Sequence, residues 1–220
     1  MTVTAGDLID AARDQHASFD YRRHPDPLLL RALSRYHREL CMKAVHAHET
    51  ILAIVAPISL PLANFSAGIT LPAYQYLHGG TVVPISGTDG SLPLTLVPWG
   101  NRFQDSRFPS AYVLKDVLYL RGVATDWGPY ATINLFYTPI ASELTALTDT
   151  LILPDTAIGA CRDYLASFMA NRGHADPSMP KLNAADFMAR YLESEKLFLD
   201  DVFLQRGNED NRIREVRSYT

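Results

Sequence analysis

The sequence predicts an α+β protein: an antiparallel helical bundle domain interrupted by an inserted antiparallel β domain, followed by a flexible C-terminal tail. Three observations carry that expectation. Apolar residues recur at three-and-four spacing before residue 57 and again after residue 139. Between those positions prolines recur at 57, 61, 72, 84, 93, 98, 109, 129 and 139, and glycines cluster at 79–80, 87 and 90, a density that ordinary helices do not survive. The final stretch, RGNEDNRIREVRSYT, is polar, mixed in charge and nearly without aliphatic residues.

The elements follow in order. Thr4 is placed to cap a short helix bearing Leu8, Ile9 and Ala12, with Asp7 in its first turn. Asp26 and Pro27 start a long helix, since one caps orphan amides and the other supplies a preset backbone angle. Its stripe of Leu33, His37, Leu40, Cys41, Ala44, His48, Ile51, Leu52 and Val55 predicts a helix to about Ala56. Arg31, Arg35 and Arg38 fall on a neighbouring face, read as solvated or interfacial.

In the middle stretch, strands are predicted near Gly68–Tyr76, Thr81–Ile85, Leu92–Val97, Val113–Leu120 and Ile133–Tyr137. The last two are read as a hairpin around a turn containing Asp126, Trp127 and Gly128. GTDG at Gly87–Gly90 reads as a hairpin turn. Pro154, Asp155 and Gly173 mark the ends of the next helix, and a last helix is predicted from about Asn183 to Gln205. Isolated helices are marginal in water, so the helices on either side of the β stretch are expected to bury their stripes against each other. The resulting domains are 1–56 and 140–205 (helical), 57–139 (inserted β) and 206–220 (tail).

Composition excludes several function classes. A formal net charge of -4 gives no global attraction to nucleic acid. The start of the chain lacks a basic, apolar leader, and the longest apolar stretch is broken by Pro57 and Pro61, so neither export nor membrane insertion is expected. Cys41 and Cys161 match no metal or redox spacing and are read as buried thiols in a reducing setting. No phosphate loop, GxSxG serine or HExxH zinc signature is present. His37, Cys41 and His48 share a helix face, but no acidic neighbour completes a tetrahedral site. Neither Asp149 with Asp155 nor Asp200 with Asp201 is read as an acid/base couple, because a pKa responds to burial and partners and not to proximity in sequence; Asp149 reads as a turn residue and Asp155 as a helix start. No catalytic residue, cofactor or metal site is therefore expected. The exposed arginines allow at most weak, sequence-independent contact with a passing duplex.

Aromatic residues in Pro/Gly-flanked loops carry more information. Trp99, Phe103, Phe108 and Trp127, with Tyr112 and Tyr130 nearby, are read either as anchors offered to another protein or as plugs over the β core.

Three stretches, SFDYRRHPDPLLLRALSRYHREL, LYLRGVATDWGPYATINLFYTPI and LTALTDTLILPDTAIGACRDYLASFMANR, together about a third of the chain, carry a resemblance. In their order the chain resembles the head-to-tail connector (adaptor, or head-completion) proteins of tailed bacteriophages. The resemblance implies a structural virion protein of the neck, assembled in the host cytoplasm, and not an enzyme. It implies a homo-oligomeric ring of about twelve copies built by heterologous contacts around an axial DNA channel. It further implies a C-terminal segment, with Arg206, Arg212, Ile213, Arg214, Val216, Arg217 and Tyr219, that orders on the portal protein. Trp99, Phe103, Phe108 and Trp127 would then meet the next tail or neck component. The rival readings are a small hydrolase with a site between the two domains, and another neck protein such as a tail terminator.

Overall fold

The computed structural model describes residues 3–60, 62, 65–85, 90–102, 109–175 and 182–218, and of these the backbone alone for Ala124, 173–175 and 207–218. Four α-helices and seven strands are present among the described residues: α1 (Ala5–Arg13), α2 (Asp26–Ala47), β1 (Ile54–Ser59), β2 (Ile69–Thr70), β3 (Tyr74–Pro84), β4 (Leu92–Leu96), β5 (Ser110–Leu114), β6 (Val117–Leu120), β7 (Tyr130–Pro139), α3 (Ile158–Ala175) and α4 (Ala184–Ser218). The chain divides into two compact units, one of residues 1–52 with 141–220 and one of residues 53–140.

In the first unit, α1 starts as its sequence dictates: Thr4 Oγ1 accepts from the Asp7 amide at 3.2 Å and the Asp7 carboxylate accepts from the Thr4 amide at 2.9 Å, a reciprocal cap. The α3 helix is central and touches α1, α2 and α4. Ala160, Ala166 and Ala170 are buried on it, and such small residues permit close approach of neighbouring helices around the larger Leu165 and Met169. Leu8, Ile9, Leu29, Leu33, Leu40, Phe198 and Val202 complete one apolar core.

In the second unit the strand order is β1-β7-β3-β4-β5-β6-β2, and Val82, Leu94, Ala111, Leu118, Ile133 and Leu135 form its core. All pairings are antiparallel except β4 with β5, which is parallel.

The α+β class stands, but the expected architecture does not. The protein is not an antiparallel helical bundle interrupted by an antiparallel β domain. The strands form one mixed, curled seven-stranded sheet, and the four helices span 9, 22, 18 and 35 residues around α3.

Individual elements differ for identifiable reasons. The α2 helix ends at Ala47, where His48 turns extended, and the β-branched Ile54, Val55 and Ile58 form edge strand β1, which tolerates Pro57. The predicted strand 113–120 is split by Lys115 and Asp116, both left-handed at φ 49° and 61°, into the β5–β6 hairpin. Consequently β6 does not pair with β7: the neighbours of β7 are β1 and β3. Gly79–Gly80 does not end a strand but sits at an irregularity within β3. The α3 helix runs two residues past Gly173. The flexible tail is also corrected: residues 206–218 continue α4 as helix. Extending an anchored helix adds a backbone bond per residue without a new nucleus. The turn expected at Gly87–Gly90 lies outside the described residues except for Gly90.

A Cβ on Gly80 would sit 2.8 Å from the Asn134 carbonyl oxygen, a backbone atom fixed by the β3–β7 pairing, and 3.1–3.2 Å from Leu94 and Leu135. Gly100 has open space at the same point. Gly80→Ala is therefore expected to cost about 1–3 kcal/mol in urea unfolding, and Gly100→Ala to stay within about 0.5 kcal/mol of the parent.

Candidate functional site

The polar residues of the first unit converge where α4 meets α2 and α3. The Glu195 carboxylate accepts from Lys43 Nζ at 2.8 Å, Tyr36 Oη at 2.9 Å and Tyr191 Oη at 2.9 Å. Lys43 also pairs with Glu39 at 2.9 Å. Tyr36 stacks on Tyr164 with centroids 4.1 Å apart and planes 7° apart, and Tyr191 meets both rings edge-on. One residue earlier on α4, the Ser194 hydroxyl donates to Asp163 at 2.5 Å, and Asp163 also accepts from Gln15 and Arg162 at 2.9 and 2.8 Å.

Burial alone would raise both carboxyls, but the donated bonds outweigh it and hold Glu195 and Asp163 below their ordinary ranges. Burial and the adjacent carboxylate push the Tyr36 hydroxyl far up and that of Tyr191 to about 12. Burial opposes the charge on Lys43, yet its bonds to Glu195 and Glu39 raise it above its ordinary value. At neutral pH this is a fixed carboxylate with three filled donors, an arrangement that locks helices together.

The outward side of α4 is unlike a solvated helix face. Leu197, Phe203 and Leu204 are each more than 60% exposed, and Leu192 is also exposed on this helix. On the other flank, Tyr164, Phe168 and Arg172 of α3 and Met188 and Tyr191 of α4 line an open, mostly apolar groove of about 320 Å³. Arg35 of α2 acts electrostatically on Tyr164 at this groove. Arg31, Arg35 and Arg38 are all exposed.

The residues singled out in the sequence are scattered. Arg206 is exposed, its Nη1 3.4 Å from the Ala47 carbonyl. Arg212, Ile213, Arg214, Val216 and Arg217 lie along the last turns of α4, and Tyr219 lies outside the described residues, as do Phe103 and Phe108. Trp99 is 42% exposed, with the Arg102 guanidinium 3.7 Å from its ring centroid and Tyr112 edge-on at 5.1 Å. Trp127 is a plug and not a surface anchor: it is 5% exposed, and its indole N–H donates to the Arg121 carbonyl at 2.8 Å. Asp149 caps a turn by accepting from the Thr145 and Ala146 amides. His37, Cys41 and His48 are buried, and His37 Nε2 accepts from the Ile152 amide at 3.4 Å. Among the described residues no group of three or more His, Cys, Asp or Glu is placed to hold a metal ion. Sequence reading missed Glu195, Asp163 and the outer leucines Leu197 and Leu204 of α4. The signal available for the leucines was an apolar set too broad for a single stripe.

The pH dependence of stability follows from these groups. Burial lowers His37 to about 4 from its ordinary 6.5 and also lowers His24. Between those values the unfolded chain binds protons that the folded chain does not, so stability falls as pH drops from 6.5 toward 4, by roughly 3 kcal/mol for His37 if fully expressed. Glu195 and Asp163 are depressed from 4.5 and 3.8, so their contribution is present above those values and is lost as pH falls through the lower folded ones. Thermal melts followed by circular dichroism across pH 7 to 3 should show two successive declines. His37→Gln should shrink the upper one and Glu195→Gln the lower. Against known proteins, no family model matches the chain and no curated protein is found similar to it.

Proposed function

We propose that this chain is an assembly protein: a head-to-tail adaptor of a tailed bacteriophage, forming a ring between portal and tail with an axial passage for DNA. The observation that carries the reading is α4. Its first half is fixed to α2 and α3 through Ser194 and Glu195, and the helix continues to Ser218. At 1.5 Å per residue it measures roughly 52 Å against roughly 27 Å for α3, its principal partner. A helix that outruns its packing partner, bears exposed leucines and ends in an arginine-rich segment is suited to docking on another protein.

In this reading Arg206, Arg212, Ile213, Arg214, Val216, Arg217 and Tyr219 meet the portal, the first six from a helix already formed, which lowers the ordering cost that a disordered tail would carry. Trp99, pre-set by Arg102 and Tyr112, faces the next tail component together with Phe103 and Phe108. The polar clusters of the helical unit hold the part in shape, and the protein works by assembly in the neck of the particle and not by catalysis.

The test is co-sedimentation with purified portal rings. The full chain is expected to co-sediment, and a chain ending at Gln205 is expected to bind at least about tenfold more weakly, a loss of about 1.4 kcal/mol, while melting at a similar temperature. A full chain that ignores portal rings at every concentration tried removes the proposal.

A further inference from the structure

The first unit carries two unlike surfaces that complement each other. One is the groove over α3, with Tyr164 and Phe168 on its floor, Met188 on its α4 side and Arg172 at its edge. Arg35 of α2 acts electrostatically on Tyr164 at this groove, and Arg31 and Arg38, four residues before it and three after, share its helix face. None of these three arginines has an ion-pair partner among the described residues.

The other surface is the outer stripe of α4. Glu193, Leu197, Asp200 and Leu204 recur at intervals of four, three and four, so they share one face, and all four are exposed. From Glu193 to Leu204 the sequence has four acids, Glu193, Glu195, Asp200 and Asp201, against the single cation Lys196. Glu195 is already bonded inward, whereas Glu193 and Asp200 make no ion pair among the described residues. The stripe cannot fill its own groove, because Phe198 and Val202 face the core and the leucines of the stripe point away from it.

We propose that the occupant of the groove is a second copy of this chain: the Glu193–Leu197–Asp200–Leu204 face of one copy seats its leucines over Tyr164 and Phe168 of the next and sets its carboxylates against Arg31, Arg35 and Arg38. An amphipathic helix laid in an apolar groove gains affinity from its anchors, and the charges fix its register. Because the two surfaces are different patches, each contact leaves one of each kind unused. The association is therefore head to tail and propagates until it closes. This rests on the adaptor reading for its purpose and deepens it by naming the faces through which neighbours meet.

Sedimentation velocity at low and high ionic strength tests it on the full chain. Wild type is expected to self-associate, and to do so more weakly in high salt. The variant Arg31→Glu/Arg35→Glu/Arg38→Glu and the variant Glu193→Arg/Asp200→Arg should each associate about a hundredfold more weakly. Their equimolar mixture should recover association, because each reversed face then meets its complement. Leu197→Ser/Leu204→Ser, at positions more than 60% exposed and so harmless to folding, should weaken association alone. Circular dichroism confirms that each variant is folded.

Three results overturn the inference: a wild type that stays monomeric, association untouched by either reversal, or loss in the arginine variant without loss in the α4 variant, which would assign the groove to a different acidic partner. Portal co-sedimentation separates the two proposals. A chain that binds portal rings yet never self-associates sinks this inference and leaves the adaptor reading standing. One that self-associates with the charge-swap behaviour and ignores the portal does the reverse.

Discussion

The rotation of α4 about its own axis is set by two adjacent side chains, and the exposed surface of the helical unit depends on it. Ser194 reaches Asp163 on α3, and Glu195 reaches Tyr36 and Lys43 on α2. Neighbouring helical residues point about 100° apart, so these two bonds grip the helix from two directions. A slip of one residue would break both and carry Phe198 out of the core while driving a charged or differently shaped neighbour in. Apolar contacts alone tolerate such repacking at modest cost, whereas a carboxylate with three specific donors does not.

The grip is stable because each charge is answered. Glu195 retains 13% of its side-chain exposure, and removing a carboxylate of this kind from water is costly unless the lone pairs find donors. Lys43, Tyr36 and Tyr191 supply them. The tyrosines serve twice, since their rings form the aromatic stack with Tyr164 that carries the apolar burial while their hydroxyls satisfy the carboxylate. Losing the carboxylate would leave those donors facing each other in a half-buried site, a penalty of about 1–3 kcal/mol. Asp163 follows the same logic on the other side, with Gln15 bringing the segment after α1 into the network.

What the sequence made legible follows the range of the signals. Thr4 with Asp7, and Pro154 with Asp155, mark helix starts within a few residues, and both mark real starts in the structure. Asp149 read as a turn residue and is one, because an Asp accepting from amides three and four residues back is a local motif. Longer-range features did not show. The Lys115–Asp116 turn lacks the Asn-Gly or Asp-Gly pair that announces a two-residue hairpin, so one apparent strand hid two and β7 was paired with the wrong neighbour. The α2 stripe kept its helical spacing past Ala47, although β-branched residues had already begun to favour a strand. For the candidate site, the arginine row and the aromatics of the central stretch were visible as residue types. Two of the three partners of Glu195, Lys43 and Tyr36, lie 152 and 159 residues away, and no local pattern announces a bond across that distance.

The two units answer one physical problem with different chemistry. A sheet face and a helix stripe are both continuous apolar surfaces, and neither fixes its own register. In the sheet, register is held by backbone geometry: the left-handed pair at Lys115–Asp116 joins β5 to β6, and Gly80 lets β3 approach β7 more closely than any side chain would permit. In the helical unit, the backbone bonds of α2, α3 and α4 run along each helix and say nothing about how those helices meet. Register there has to come from side chains, and directional polar bonds supply it where leucines cannot. The same bonds that fix the inner face of α4 thereby decide that Leu197, Asp200 and Leu204 face outward. The outer surface is thus specified by the inner contacts that hold the helix in place.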